Sequence, residues 1–397
     1  MGGPFAEMLD VCNSAVGRLG AWRESIASQP ETSLMSMKRL FTVSALALAS
    51  SAALAQSSVT IYGVIDAAYR VESTVAAGTT GGSIKSLAPG GMSQSRLGIN
   101  VNEDMGDGWR ALVNLEHRLM SDTGAASSSS DFWRQAWVGL TTPVGRVTLG
   151  RQYNVLFDLT TSTFAAYKYS PYIEQFKPEL GVAVGNRQSN MVKYAITVGD
   201  LTAEAQASAG EATGDRTIGG MARYQLGSFA LGAGMINSKD PAGKQVKGTV
   251  FGGSYASGPL YVNAAYGKNK FDAGFNPTLI VAYSTALVSP ATPANQILSA
   301  IAFDVKDRDL TSFGFTYQLT PQFNLGAQYY QLKQSHRSTT RESKANMYSI
   351  VGQYALSKRT DTYVEYDKIG IAASSPTTFA NGSRSRTGYM VGLRHRF

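Results

Sequence analysis

From Ser58 onward, hydrophobic and polar residues alternate along the chain, which is the period of a β-strand whose two faces meet different surroundings. Between Trp109 and Leu119 one face carries Trp, Ala, Val, Leu, His and Leu, whereas the other carries Arg110, Leu112, Asn114, Glu116 and Arg118. The final segment, 389–397, repeats this alternation. The pattern predicts an all-β chain.

The connections between the alternating segments fall into two length classes. Short turns, mostly containing Gly or Pro, lie at 104–108, 142–145, 199–200, 227–228, 257–259, 320–322 and 357–360. Longer polar connections lie at 72–92, 121–130, 155–187, 211–215, 238–246, 271–306, 335–342 and 371–385. Short turns that alternate with long loops predict a 16-stranded antiparallel transmembrane β-barrel, closed because an open sheet edge in lipid leaves backbone groups unpaired.

Composition agrees with this class of protein. Only 16% of the 397 residues are charged and the net charge is +8, against about 25% charged residues in soluble domains. Beyond the N-terminal region the sequence has no apolar run of about 20 residues, which argues against a helical membrane protein. Aromatic residues fall mainly near predicted strand ends, where a membrane-interface girdle would place them: Trp109, Trp133, Tyr261, Tyr266, Tyr329, Tyr363 and Tyr389.

The N-terminal region is typical of an export signal. A basic start at Met37, an apolar stretch from Leu40 to Leu48 and an Ala-x-Ala site ending at Ala55 predict a signal peptide over 37–55. We expect residues 56–397 to form the mature barrel, still with a net charge of +8, because four basic and four acidic residues are removed. Residues 1–36, which contain the single cysteine, are interpreted as an upstream mis-start or an atypical extension.

Several ordered segments carry a family resemblance. They are Ser58–Gly63 with Asp66, Ser95–Gly98, Asn102–Gly106, Ala111–Glu116, Arg134–Leu140, Gly150-Arg151 and Gly392–Phe397. Together with the signal peptide they make the chain similar to the trimeric general porins of Gram-negative outer membranes, of the betaproteobacterial type. The resemblance implies a homotrimer of 16-stranded barrels in the outer membrane, in contact with its lipid and lipopolysaccharide. It also implies that the terminal Phe397 is the recognition signal for the barrel-assembly machinery.

The same resemblance implies that the third long loop, 155–187, folds inward and narrows the channel. Its acidic residues are Asp158, Glu174 and Glu179, but the loop lacks the acidic Pro-Glu-Phe-Gly-Gly motif of enteric members. The position of the loop therefore transfers from the family, while the assignment of its acids does not.

Strand alternation indicates which charges face the pore. Arg96 lies opposite Leu97 and Ile99 in the alternation, Glu116 and Arg118 lie on the lumen face, and Arg134 is placed on the side away from Trp137. The resemblance adds Arg151 to Arg96 and Arg134 on a basic wall, and Arg187 is a further candidate where the loop returns. Because arginine stays protonated, such a wall predicts an anion-preferring pore.

Other function classes have little support in the sequence. The histidines, at 117, 336 and 395, are too dispersed for a metal or catalytic site, and no phosphate-binding motif stands between a strand and a helix. We therefore expect no enzyme activity, no cofactor and no nucleic-acid partner. A passive diffusion channel for small hydrophilic solutes and ions is favoured; a substrate-specific channel, or an adhesin or receptor barrel with binding loops such as 271–306, remains the alternative.

Overall fold

The computed structural model describes residues 57–73, 82–125, 132, 134–164, 186–210, 216–275, 305–375 and 383–397. The predicted signal peptide over 37–55 and residues 1–36 lie outside the described residues, as do Trp133, Glu174 and Glu179. The described residues form the strands β1 (Ser58–Ser73), β2 (Ser83–Ala88), β3 (Arg96–Gly106), β4 (Trp109–Arg118), β5 (Gln135–Thr142), β6 (Gly145–Tyr153), β7 (Arg187–Val198), β8 (Leu201–Ser208), β9 (Arg216–Leu226), β10 (Phe229–Lys239), β11 (Gln245–Ser257), β12 (Leu260–Phe271), β13 (Val305–Gln318), β14 (Phe323–His336), β15 (Ser343–Ala355), β16 (Thr360–Ile371) and β17 (Ser385–Arg396), with helix α1 (Val155–Thr163) between β6 and β7.

Sixteen of these strands form a closed antiparallel ring. Each strand from β3 to β17 pairs with the next, β3 pairs with β1, and β1 pairs with β17. In the closing pair Val64 lies opposite Arg396 and Glu72 opposite Gly388. The sixteen-stranded barrel predicted from the connection lengths is confirmed.

Strand β2 is an additional element that lies within the predicted long connection 72–92. The edge of β1 that faces β3 is paired with it only over Ser58–Val64. Beyond this point β2 pairs with Ala68–Ser73 along the same edge of β1. The C-terminal half of β1 therefore does not leave its backbone groups unpaired. The partner of β1 on this edge is thus built from two strands, β2 and β3, which residues 89–95 separate.

The barrel turns its apolar side chains outward. Ile61, Ile218 and Val364 are 65%, 70% and 58% exposed, whereas inward neighbours such as Asp66, Glu116 and Asp367 are buried. This inverts the arrangement of a water-soluble protein and is the one expected of a wall that meets lipid outside and water inside. Among the described residues no helix is long and apolar enough to cross a membrane.

Aromatic residues form cross-strand pairs on the outer face. Phe251 packs on Tyr266 with ring centroids 5.5 Å apart, and Phe313 packs on Tyr329 at 5.0 Å. Two of the aromatics expected there are instead turned inward. The hydroxyl of Tyr261 donates to the carbonyl of Thr163 in α1, and Tyr363 is buried against the inward segment 89–95.

Candidate functional site

Helix α1 brings the start of the third long loop into the barrel. Asn154 caps the helix by accepting from the backbone N–H of Phe157 at 2.9 Å. Its apolar residues join a cluster with the inner wall: Val155, Leu156, Phe157, Leu159, Phe164, Met221, Ile236, Val246, Val250, Ala265, Phe271, Phe275 and Val305. The predicted inward fold of this loop is therefore confirmed over 155–164.

Two glycines of β10 make room for this helix. A Cβ atom at Gly232 would lie 2.5 Å from Cδ1 of Leu159, and one at Gly234 would lie 2.8 Å from Cδ2 of Leu156. Side chains at these positions would hold α1 away from the wall. The small residues thus set how far the helix projects into the pore.

Glu116 is the centre of a cluster of charged side chains on the lumen face of the barrel. Its carboxylate accepts from Nε of Arg134 at 2.6 Å, lies 3.2 Å from Nε of Arg96, and accepts from the hydroxyl of Tyr62 at 3.2 Å. The register of β3 and β4 explains the arrangement, because Arg96 lies opposite Arg118 and Gly98 opposite Glu116. Residues opposite each other share a face of the sheet. Arg96, Arg118 and Glu116 therefore face the lumen together.

Tyr153, at the end of β6, links the cluster to α1 and is a site residue that the sequence pattern does not predict. Its hydroxyl accepts from Nη2 of Arg134 at 2.8 Å and from Nη2 of Arg187 at 2.7 Å. The guanidinium of Arg187 also lies 4.3 Å from the centre of the Tyr153 ring, a cation–π geometry. On its other side the ring stacks on Phe157 of α1 with centroids 4.0 Å apart.

The part of the cluster that the structure describes holds four arginines and one glutamate. Arg96 and Arg134 pair with the Glu116 carboxylate, Arg118 lies opposite Arg96 in the strand register, and Arg187 shares the Tyr153 hydroxyl with Arg134. Four of the sequence-predicted residues are thus joined to Glu116 or to its neighbours. Low-dielectric walls around a water-filled lumen strengthen the field of such charges.

A second inward segment, residues 89–95, supports the arginines and was not foreseen. The carboxylate of Asp66 accepts from the backbone N–H groups of Gly91 and Ser93 at 3.2 and 2.6 Å and from the Tyr363 hydroxyl at 2.5 Å. The segment so held places Gln94 in the cluster: its side-chain oxygen accepts from Arg134, and its carbonyl accepts from Nη1 of Arg96 at 3.3 Å.

Arg134 faces the lumen as predicted, but strand alternation relative to Trp137 is not the reason. Gln135 and Trp137 both line the inner cavity next to α1, so Trp137 faces inward and does not mark the outer side. Arg134 precedes β5, where strand alternation does not yet apply, and its buried side chain turns into the lumen.

Arg151 is not brought to the cluster. It lies directly opposite Ala136, which stands between the inward residues Gln135 and Trp137 and so faces outward. The guanidinium donates to the hydroxyl of Ser189 at 2.9 Å in an exposed position. The strand pairing therefore places Arg151 on the outer face, which corrects the placement implied by the family resemblance.

Asp158 is the one predicted loop acid that lies in the described residues, and it pairs with a lysine of the barrel wall. It lies 2.5 Å from Nζ of Lys193 on β7, and that amine donates to the carbonyl of Tyr153 at 3.1 Å. Asp158 thus ties the helix to the barrel wall beside a cavity of about 460 Å³, which Gln152, Glu204 and Arg223 also line.

Phe397 closes the barrel against the first strand. Its backbone N–H donates to the carbonyl of Gly63 at 3.1 Å and its carbonyl accepts from the N–H of Gly63 at 3.0 Å. The ring covers Gly63, where a Cβ atom would lie 2.3 Å from Cζ of Phe397.

Comparison with known proteins gives a consistent result. A family model described as Gram-negative porin matches residues 42–370. Outer membrane porin protein 32 of Delftia acidovorans is 26% identical over 388 residues, covering 91% of this chain and 100% of that protein. An outer membrane porin protein of Bordetella pertussis is 27% identical over 405 residues, with 91% and 100% coverage.

Solved structures share the fold. An anion-selective porin from Comamonas acidovorans superposes with a TM-score of 0.67 at 23% identity, covering 86% of this chain and 100% of that one. A trimer form of OmpT from Vibrio cholerae superposes with a TM-score of 0.62 at 16% identity, covering 86% and 99%. With a closed barrel, an apolar outer face and a family match over most of its length, the chain belongs to the Gram-negative porin family of the outer membrane.

Proposed function

We propose that the barrel is a passive diffusion channel for small hydrophilic solutes that admits anions more readily than cations. The observation that carries the preference is the cluster of Arg96, Arg118, Arg134 and Arg187 around Glu116. Fixed cations lower the barrier for an anion and raise it for a cation. At physiological salt the Debye length is about 8 Å, so these charges act on an ion passing close to the wall. The Comamonas acidovorans relative in fold is itself described as anion-selective.

The test is the reversal potential of the purified protein in a planar bilayer under a KCl gradient. We expect a chloride preference that falls about twofold in R96Q, a change of about 0.4 kcal/mol in the difference between the two barriers. Arg96 is suited to this test because its side chain is 21% exposed, which makes it the more accessible of the two arginines that pair with Glu116. R359Q, in an exposed turn between β15 and β16, is the matched control. Cation preference in the wild type, or equal effects of R96Q and R359Q, would contradict the proposal.

Solute size separates diffusion from specific uptake. A graded loss of permeation with sugar size in liposome swelling supports a diffusion pore. Saturable uptake of a single solute would favour a substrate-specific channel. Absence of uptake would favour an adhesin or receptor.

The proposal extends to the assembly of the protein. We place it as a homotrimer, since the OmpT structure that shares its fold is described in a trimer form, and the barrel-assembly machinery would read the terminal strand with Phe397. Single-channel recordings with conductance steps in groups of three support the trimer, and isolated single steps would contradict it. We also propose contact with outer-membrane lipid and lipopolysaccharide, and the exposed apolar outer face supports the contact with lipid.

A further inference from the structure

Tyr153 stands at the point where the barrel wall becomes helix α1. It is the last residue of β6 and lies directly opposite Arg187 in the register with β7, and the next residue, Asn154, caps the helix. The backbone N–H of Asn154 still donates to the carbonyl of Asn186 at 3.1 Å. The backbone of Tyr153 is therefore fixed by the sheet on one side and by the start of the helix on the other.

The ring of Tyr153 packs against the first turn of the helix. It is stacked on the ring of Phe157, with centroids 4.0 Å apart and an angle of 7° between the two planes. Phe157 is itself buried in the apolar cluster that α1 forms with the wall. A second link is polar, because Nζ of Lys193 donates to the carbonyl of Tyr153 and also pairs with Asp158 of α1. A displacement of the first turn of α1 is therefore transmitted to the Tyr153 side chain.

The hydroxyl of the same side chain holds two guanidinium groups. Its oxygen accepts from Nη2 of Arg134 and from Nη2 of Arg187, and the guanidinium of Arg187 also lies over the ring. Two like charges that meet at one oxygen repel each other, and the repulsion is strong where water is excluded. The shared acceptor and the cation–π contact offset this repulsion. Tyr153 thus keeps both cations close together in the lumen.

Arg134 is positioned by acceptors from three parts of the barrel. Its Nε donates to Glu116 of β4 at 2.6 Å, its Nη1 donates to the side chain of Gln94 in segment 89–95, and its Nη2 donates to Tyr153 at 2.8 Å. Of these three acceptors, Tyr153 is the one that the ring stack joins to α1. The position of the Arg134 guanidinium therefore depends on the helix as well as on the wall.

We propose that Tyr153 is a positioning residue that couples the position of helix α1 to the ion selectivity of the pore. The ring follows the helix, and the hydroxyl carries Arg134 and Arg187 with it. A displaced helix therefore spreads these two cations and weakens their combined field on a passing anion. The inference rests on the anion preference proposed above and names the contact that sets its strength.

The test is a double-mutant cycle measured by the reversal potential in a planar bilayer under a KCl gradient. L156A/L159A loosens the helix, whereas Y153F removes the hydroxyl but keeps the ring on Phe157. We expect L156A/L159A to lower the wild-type chloride preference about twofold, and Y153F to lower it by a similar factor. In the Y153F background the leucine changes should have little further effect, because Arg134 no longer follows the helix.

The matched control is Y261F. Tyr261 also donates its hydroxyl to α1, to the carbonyl of Thr163 at 2.8 Å, but this contact lies at the other end of the helix. Y261F should therefore keep the twofold response to the leucine changes. F157L serves if Y153F does not fold: it replaces the stacked ring while both arginines keep the Tyr153 hydroxyl, and it should also remove the response.

Two results would overturn the proposal. The first is a wild-type chloride preference that L156A/L159A leaves unchanged, since a loosened helix would then not reach the arginines. The second is an equal loss in the wild type and in Y153F, which would mean that the helix acts on ions without Tyr153. The chloride preference of the wild type and its decrease in R96Q test the anion preference separately. If these hold and the cycle fails, only the coupling through Tyr153 is removed.

Discussion

At the scale of single residues, Glu116 is the carboxylate that offsets the arginines facing the pore. E116Q keeps the shape and one acceptor oxygen but removes the charge next to Arg96 and Arg134. We expect the chloride preference to rise about twofold, opposite in direction to R96Q, because less negative charge remains near the passing ion. The free energy of unfolding should fall by about 1–3 kcal/mol, since two guanidinium groups lose a charged partner.

Reversal potentials under the same KCl gradient and urea unfolding in micelles measure these two effects. The control is E103Q, whose carboxylate is exposed near the end of β3 that meets the turn to β4. A chloride preference that stays constant or falls in E116Q would show that the cluster does not set the selectivity.

Strand alternation was sufficient to place Arg96, Arg118 and Glu116 together, since a period of two fixes the face of every residue in β3 and β4. Tyr153 could not be found in this way. Its role depends on Arg134, Arg187 and Phe157 meeting at one ring, a contact that no local pattern encodes. Arg151 shows the converse limit, because a family position does not carry over the strand register that sets its face.

At the scale of elements, segment 89–95 is held by the Asp66 carboxylate at two backbone N–H groups. D66N cannot offer two equivalent charged acceptors, so we expect the segment to loosen. Amide exchange at Gly91 and Ser93 should accelerate about tenfold or more, corresponding to the loss of about 1.5–3 kcal/mol for a charged hydrogen bond. Exchange measured by mass spectrometry tests this.

A matched control is D104N, because Asp104 also accepts from a backbone N–H, that of Gly106, but at the exposed end of β3. Unchanged exchange over 89–95 in D66N would mean that the hydrogen bonds of Asp66 do not hold the segment. No sequence signal marked it: Pro89, Gly90 and Gly91 indicate a turn, and only the position of Tyr363 shows that the turn points inward.

Helix α1 should respond to its apolar contacts independently of the barrel. L156A/L159A removes the two leucines that pack at Gly232 and Gly234, and each buried Leu→Ala change costs about 2–5 kcal/mol. We expect faster amide exchange over 155–163 and noisier open-channel current, with barrel unfolding shifted little. The same truncation at Leu231, which is 57% exposed on the outer face of β10, is the control. Protection of α1 equal to the wild type would argue against apolar anchoring.

At the scale of the whole molecule, the barrel depends on the pairing of its first and last strands. The ladder between β1 and β17 ends where the backbones of Gly63 and Phe397 exchange two hydrogen bonds, with the Phe397 ring over Gly63. This contact joins residues far apart in the sequence, so closing the barrel has a high cost in chain entropy. The hydrogen bonds of the closed sheet must offset that cost. Only complete closure leaves no edge exposed to lipid.

The glycine and the ring form a pair whose energies should not add. G63A places a methyl group where the ring lies, and we expect it to lower the free energy of unfolding by about 1–3 kcal/mol through overpacking. F397A removes the ring, so G63A should cost almost nothing in the F397A background. G352A is the control, because a Cβ atom there meets only ordinary contacts at 3.4–3.5 Å. Urea unfolding after refolding into detergent, without any assembly machinery, measures the free energy of unfolding of each variant. Additive effects of the two changes would show that the ring and the glycine do not act together in closing the barrel.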